Sequence, residues 1–260
     1  MKTNLSAVIA TGLVFALSSA QASLVFTVIN STQTIDFNDF DGSGFASDPA
    51  AGQLDSDTWR ATGFSSDGSF GGDFVSGDFA RGTDADGVST GGIYAFEVGG
   101  AGSGDFGLGV QPAGSDFTPG DFTLRIQNST GTTVSEIGIN YDLYVYNDAD
   151  RANSFDLSYS TDDSNYTSVP AGAFTSAAGA SGSPQWVSTG IGTTITGLNL
   201  LAGSFFYVQF SGDDIGGSGS RDQFAVDNLN VSVAPEVSTF VPLLGILAVG
   251  IFGHRRRKTA

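Results

Sequence analysis

The chain has no cysteine and a single histidine, His254, near its C-terminus. Disulfides, thiol nucleophiles, Cys/His zinc centres and a Ser-His-Asp triad are therefore excluded from the body of the protein. Lysine is missing between Lys2 and Lys258, which removes another common catalytic base. Cationic side chains of any kind are scarce. Between residues 23 and 234, five arginines face 24 aspartates and the two glutamates Glu97 and Glu136, a net charge of −21. A surface of that sign repels phosphate backbones, so no nucleic-acid partner is expected. It suits divalent cations instead.

Long apolar runs occur only at the two ends. Lys2 precedes "LSAVIATGLVFALSSA", and the run closes on Ala20-Gln21-Ala22. This is the pattern of a signal peptide, residues 1–22, with Ala20 and Ala22 framing a cleavage site before Ser23. Near the other end, residues 240–253 carry no charge and are followed by Arg255, Arg256, Arg257 and Lys258. As a helix they would reach about 21 Å, short of the roughly 30 Å hydrocarbon core. The basic cluster stays cytoplasmic, which leaves the domain facing outward. A short span of this kind suits a segment held briefly in the inner membrane and then removed. The alternative is a permanent single-span anchor.

What lies between, residues 23–233, has the size of one domain. Short runs of alternating apolar and polar residues, such as "DFTLRIQ", "EIGINYDLYVY" and "SFFYVQF", are bounded by Gly, Asp, Asn and Ser. About ten strands without crossover helices predict an all-β, two-sheet antiparallel sandwich. The Gly/Ser/Ala-rich stretches 41–91 and 171–190 read as long loops. Gly-Asp-Phe recurs from Gly72, Gly77, Gly104 and Gly120, and each copy reads as a turn that delivers a buried phenylalanine.

The residues Pro235-Glu236, Ser238-Thr239-Phe240, the apolar helix and the basic cluster together resemble a PEP-CTERM sorting signal of Gram-negative bacteria, here residues 234–260. In that family a Val-Pro-Glu-Pro motif is recognised by exosortase, a membrane transpeptidase. The tail is lost, and the protein reaches the cell surface or an exopolysaccharide matrix. This chain has Ala234 and Val237 where the motif has Val and the second Pro. The body resembles an uncharacterised family of exported bacterial sandwich domains with jelly-roll-like features, through "DFND", "GGIYAFEVG", "FTLRIQNSTGTTVSEIGINYDLYVYN" and "SGDDIGGSGSRDQFAVDNLNVSV". The resemblance implies an ancillary, non-catalytic module and carries over no site.

Three functions are compatible with these residues. The first is a structural or adhesive surface protein associated with exopolysaccharide. The second is a carbohydrate-binding module. In "EIGINYDLYVY", Ile137, Ile139, Tyr141, Leu143 and Val145 point inward, which turns Asn140, Asp142, Tyr144 and Tyr146 to the other face. Rings beside amides and a carboxylate are what stacking on a sugar requires, and Trp59 or Trp186 on a loop would add to it. The competing reading covers both faces of the strand and makes the tyrosines core. The third function is a glycoside hydrolase with paired aspartates, for which 24 Asp offer no distinctive pair.

A structural Ca²⁺ crosses these classes. "DFNDFDGSG" fails the EF-hand spacing. Many jelly-roll binding modules hold Ca²⁺ between their first and last strands, and by that resemblance Asp36 or Asn38 meets Asp227 around the ion. Turn hydrogen bonds from these side chains are the alternative, and Arg151 and Arg221 are candidates to pair with the nearby carboxylates.

Overall fold

The computed structural model describes residues 14–16 and 24–235. The first half of the chain forms β1 (Val14–Ala16), β2 (Leu24–Phe26), β3 (Thr32–Ile35), β4 (Phe40–Ala46), β5 (Gly52–Asp55), β6 (Trp59–Thr62), β7 (Thr83–Asp84) and β8 (Gly92–Glu97). The second half forms β9 (Phe106–Gln111), β10 (Gly120–Asn128), β11 (Val134–Tyr146), β12 (Arg151–Ser160), β13 (Thr167–Ser168), β14 (Trp186–Ile195), β15 (Phe205–Gly217) and β16 (Gln223–Pro235). Helix among the described residues is confined to 3₁₀ turns at Gly77–Phe79 and Pro170–Gly172. None is long and apolar enough to cross a membrane. Ala20, Ala22, Glu236, the 240–253 segment and Arg255, Arg256 and Arg257 lie outside the described residues; Pro235 is the last residue of β16.

The strands make a jelly-roll-like sandwich. In the first sheet β16 is central, with β11 and then β14 on one side. On its other side β3 pairs with Leu229–Ser232 and β9 with Phe224–Val226, and β8 and β7 follow β9. The second sheet runs β13-β12-β15-β10, with β2 and β6 sharing the far edge of β10. Period-2 alternation sends Phe122, Leu124 and Ile126 of β10, and Phe206, Val208 and Phe210 of β15, into one core. There they meet Ile139, Tyr141 and Leu143 of β11. Rings cross between the sheets, Tyr141 with Phe210 at 5.0 Å and Phe155 with Phe224 at 5.3 Å.

Residues 41–91 are not one long loop, for they carry β4 to β7. Their aromatics, spaced too irregularly to read as strands, hold the segment: Phe45, Trp59, Phe64 and Phe79 are buried, with Phe64 and Phe79 rings 5.4 Å apart. Gly42 shows why the stretch needs glycine. It has φ 76°, and a Cβ there would sit 2.2 Å from the Gly82 carbonyl oxygen. The loop expected over 171–190 likewise ends early, because β14 begins at Trp186. Of the Gly-Asp-Phe copies, two deliver a buried ring, Phe79 and Phe122; Phe74 and Phe106 are half-buried.

Candidate functional site

On the outer face of the first sheet, Asn140 is exposed while Asp142, Tyr144 and Tyr146 are half-buried. Antiparallel register puts Trp186 beside Tyr146, with ring centroids 5.4 Å apart. Trp186 also lies 5.0 Å from Phe96. Tyr94, Phe96, Val98 and Ala225 form a second, smaller buried cluster on this face, and Tyr144, Trp186 and Val88 pack against it. The Trp186 indole donates to the Ala85 carbonyl at 2.6 Å. The tyrosines thus pack, half-buried, against an aromatic cluster. Neither tryptophan stands on a loop: Trp186 opens β14, and Trp59 opens β6 and is fully buried.

The same face holds Asp227. A β-bulge opposite Tyr141 changes the parity of β16, because Asn140 pairs with Asn230 but Asp142 with Asp227. Asn228 takes up the extra residue with φ 51°. Hence Gln223, Ala225 and Asp227 point outward, whereas Leu229, Val231 and Val233 point into the core. Asp227 is nonetheless 0% exposed, and neither carboxylate oxygen has a hydrogen-bond partner. Burial pushes its pKa up to about 7; the Asn228 amide opposes this, and the charges of Asp105, Asp36 and Asp142 add to it. Pairing of β3 with β16, Ile35 opposite Leu229, brings Asp36 here. Asn38 Oδ1 accepts from the Phe106 amide at 3.0 Å, which ties the chain after β3 to the start of β9, next to Asp105. Asn228 Nδ2 donates to Asp142 at 3.1 Å. No three His, Cys, Asp or Glu side chains among the described residues are already gathered into a metal-holding group. Arg151 and Arg221 both pair with Asp214, each at 2.6 Å, and not with this nest.

The outer face of the second sheet was not legible as a site. Its outward residues come in rows across β10, β15 and β12: Asp121, Ser211 and Asp156, then Thr123, Gln209 and Ser158, then Arg125, Tyr207 and Ser160. A pocket of about 350 Å³ opens at the first row, lined by Thr62, Asp121, Ser154, Asp156, Ser211 and Asp213 among others. Asp121 is fixed as an acceptor, taking hydrogen bonds from Thr62 at 2.6 Å and Thr123 at 2.9 Å. At the far rows, half-buried Phe70 lies under the guanidinium groups of Arg60 at 4.8 Å and Arg125 at 4.5 Å. Arg125 also lies 4.9 Å from the Phe205 ring, and Phe70 6.0 Å from Tyr207. Arg60 is held by a two-point fork to Asp163, at 2.7 and 2.8 Å. From Asp121 to Gln127 the face runs about 20 Å, from hydroxyls and carboxylates to rings and guanidinium groups, with Thr123, Ser158 and Ser160 buried along it. The signal for it was present in "FTLRIQ" and "FFYVQF", whose polar alternates face outward, but its pieces Arg60, Phe70 and Asp163 come from distant segments.

No family model matches the chain, and no curated protein matches it. Among solved structures, a carbohydrate-binding module described under "CBM4 structure and function" is 13% identical, with TM-score 0.33, covering 68% of this chain and 96% of its own. A CBM28 module specific for non-crystalline cellulose is 12% identical, with TM-score 0.35 and coverages of 58% and 97%. The CBM22-1 xylan-binding domain of Paenibacillus barcinonensis Xyn10C is 11% identical, with TM-score 0.31 and coverages of 58% and 85%. At such scores the reading of function rests on this chain's own residues.

Proposed function

We propose that the chain is an exported, non-catalytic protein that binds polysaccharide along the outer face of its second sheet. One observation carries this reading: an open pocket of hydroxyls and carboxylates shares its sheet face with a row of half-buried rings and guanidinium groups, across a middle row in which Thr123 and Ser158 are buried. Sugar hydroxyls donate to fixed acceptors such as Asp121, and the apolar face of a pyranose stacks on rings such as Tyr207. Asp121, already accepting from two threonines, is set up to hold a hydroxyl rather than to deliver a proton. Delivery follows the termini: export by the signal peptide, then sorting by an exosortase-type transpeptidase to the cell surface or matrix. The test is retention of the purified full chain on a panel of insoluble polysaccharides, with product release followed in parallel. Retention without turnover is expected, and Tyr207→Ala should weaken it about ten-fold. Absence of retention across the panel sinks the reading, and release of sugars sinks its non-catalytic part. Mass analysis of the protein recovered from its host tests the address, since both ends should be trimmed.

The Asp227 nest supports a second element, a structural Ca²⁺ shared by Asp227 with Asp36 and Asp142. The support is the buried carboxylate with two unpartnered oxygens, beside further carboxylates and no cationic side chain. Asn38, committed to the Phe106 amide, acts as the brace that holds the adjoining loop rather than as a ligand. Melting with Ca²⁺ and with chelator tests it, and equal melting temperatures for the wild type overturn it.

A further inference from the structure

A second oxygen-rich recess lies where β11 ends and β16 begins. Tyr146 and Gln223 face each other across the two strands, so Asn147 and Asp148, which follow one, adjoin Asp222, which precedes the other. Asp222 and Gln223 are both 0% exposed. Three buried oxygens here, Asn147 Oδ1, Asp222 Oδ2 and Gln223 Oε1, have no hydrogen-bond partner. The Gln223 amide is aimed at Asp148, its nitrogen 3.5 Å from Asp148 Oδ2. The Ala149 amide donates to the other Asp222 oxygen at 3.1 Å.

The imbalance is of one kind, with acceptors in surplus and positive charge missing. Burial raises both carboxyl pKa values; the Asp222 charge adds to that of Asp148, hydrogen bonding from Ser176 and from the Ala149 and Asp148 amides offsets that of Asp222 only in part, and no arginine lowers either. Arg151 and Arg221, the arginines nearest in sequence, are spent on Asp214. A water could donate to two of the oxygens, but it would leave two neighbouring carboxylates without a countercharge. A hard divalent cation resolves both deficits, since carboxylate and amide oxygens are its ordinary ligands.

We propose that this recess is a divalent-cation site, of Ca²⁺ type, built from Asp148, Asp222 and the side-chain oxygens of Asn147 and Gln223. It is separate from the Asp227 nest and does not depend on it. Its position gives it a structural consequence. Gln223 Nε2 also donates to the Val88 carbonyl at 3.3 Å, and the Trp186 indole to that of Ala85. A cation that fixes Gln223 therefore fixes the 85–88 segment over the aromatic patch.

Terbium, a luminescent stand-in for Ca²⁺, tests the site without any need for a glycan. Trp186 is a built-in antenna, because its ring contacts Tyr146, which feels the charge of Asp148. The experiment uses the full chain carrying Asp227→Asn, so that the other proposed site cannot contribute. Tryptophan-excited terbium emission is expected, displaced by Ca²⁺, and lost on adding Asp148→Asn. Trp186→Phe should remove most of the emission while Ca²⁺ still raises the melting temperature. Emission absent from the Asp227→Asn chain, or unchanged by Asp148→Asn, overturns the proposal. Should Asp148→Asn fail to fold by circular dichroism, Asn147→Ala serves in its place: a several-fold weaker terbium affinity supports the site, and an unaltered one overturns it.

Discussion

The two outer faces of the sandwich handle the same shortage of cations in opposite ways. On the second sheet, Asp163 takes two hydrogen bonds from Arg60, and Asp57 sits 3.6 Å from Arg125. On the first sheet, Asp227 is more deeply buried than either and has no cationic partner, only the Asn228 amide opposing the effect of its burial. All five arginines of the domain are paired, two of them with the same carboxylate, Asp214. The difference teaches where the fold is complete. At the Arg60 end of the second sheet the charges are satisfied internally, so that end is free to meet a ligand. The Asp227 face carries a deficit that an ion or a proton must fill.

The sharpest way to break this comparison is Asp227→Asn. Its folded pKa, near 7 against an ordinary 3.8, means that the folded state binds the proton more tightly than the unfolded one. The stability linked to this group is therefore present below pH 4 and is lost as pH rises through 7. The effect is on the order of a few kcal/mol. In chelator at pH 8, Asp227→Asn should raise the urea midpoint and flatten the pH dependence; with Ca²⁺ present the gain should vanish. A lower midpoint in chelator would mean that the buried carboxylate is not a liability, and the contrast between the faces would fail.

Asp214→Asn should act with the opposite sign. Hydrogen bonding to Arg221, with the charges of Arg221 and Arg151, holds the Asp214 carboxyl below its ordinary value. Its contribution is present at neutral pH and is lost as pH falls through the folded pKa. Because the pair is a quarter exposed, the cost at pH 7 should be about 1–2 kcal/mol, read as a lower urea midpoint. No cost would show that pairing with arginine is not what distinguishes the satisfied carboxylates from Asp227.

On the second sheet, Arg60→Met removes both the guanidinium over Phe70 and the fork to Asp163. Loss of about 1 kcal/mol is expected, along with weaker polysaccharide retention. Full retention would shift the ligand away from the ring-and-guanidinium end, toward the pocket around Asp121.

Much of the fold was legible because its cause is local. Alternation in "EIGINYDLYVY" correctly separated Ile137, Ile139, Tyr141, Leu143 and Val145 from Asn140, Asp142, Tyr144 and Tyr146. What alternation cannot report is what covers the second face, and the 85–88 segment and Trp186 come from elsewhere in the chain. That the strand before Asp36 lies beside the strand of Asp227 was expected from the resemblance to jelly-roll modules. Asp105 and Asp142 were missed because a bulge and a third strand bring them there. The stretch 41–91 misled for a physical reason: glycine-rich composition signals turns, but it does not show that Phe45, Trp59, Phe64 and Phe79 anchor those turns in the core.

The smallest expected effect tests the aromatic cluster itself. Trp186→Phe keeps a ring against Phe96 and Tyr146 and deletes one hydrogen bond, the 2.6 Å contact to the Ala85 carbonyl. A single neutral hydrogen bond contributes about 0.5–1.5 kcal/mol, and the freed carbonyl belongs to Ala85, which is only half-buried. The urea midpoint should fall by less than for Arg60→Met, and retention on polysaccharide should not change. Retention lost with Trp186→Phe but kept with Arg60→Met and Tyr207→Ala would reverse the assignment, making the strand that carries Tyr144 and Tyr146 the ligand face. The 85–88 segment would then have to move aside when glycan binds, which amide exchange at Ala85 to Val88 with and without polysaccharide would reveal.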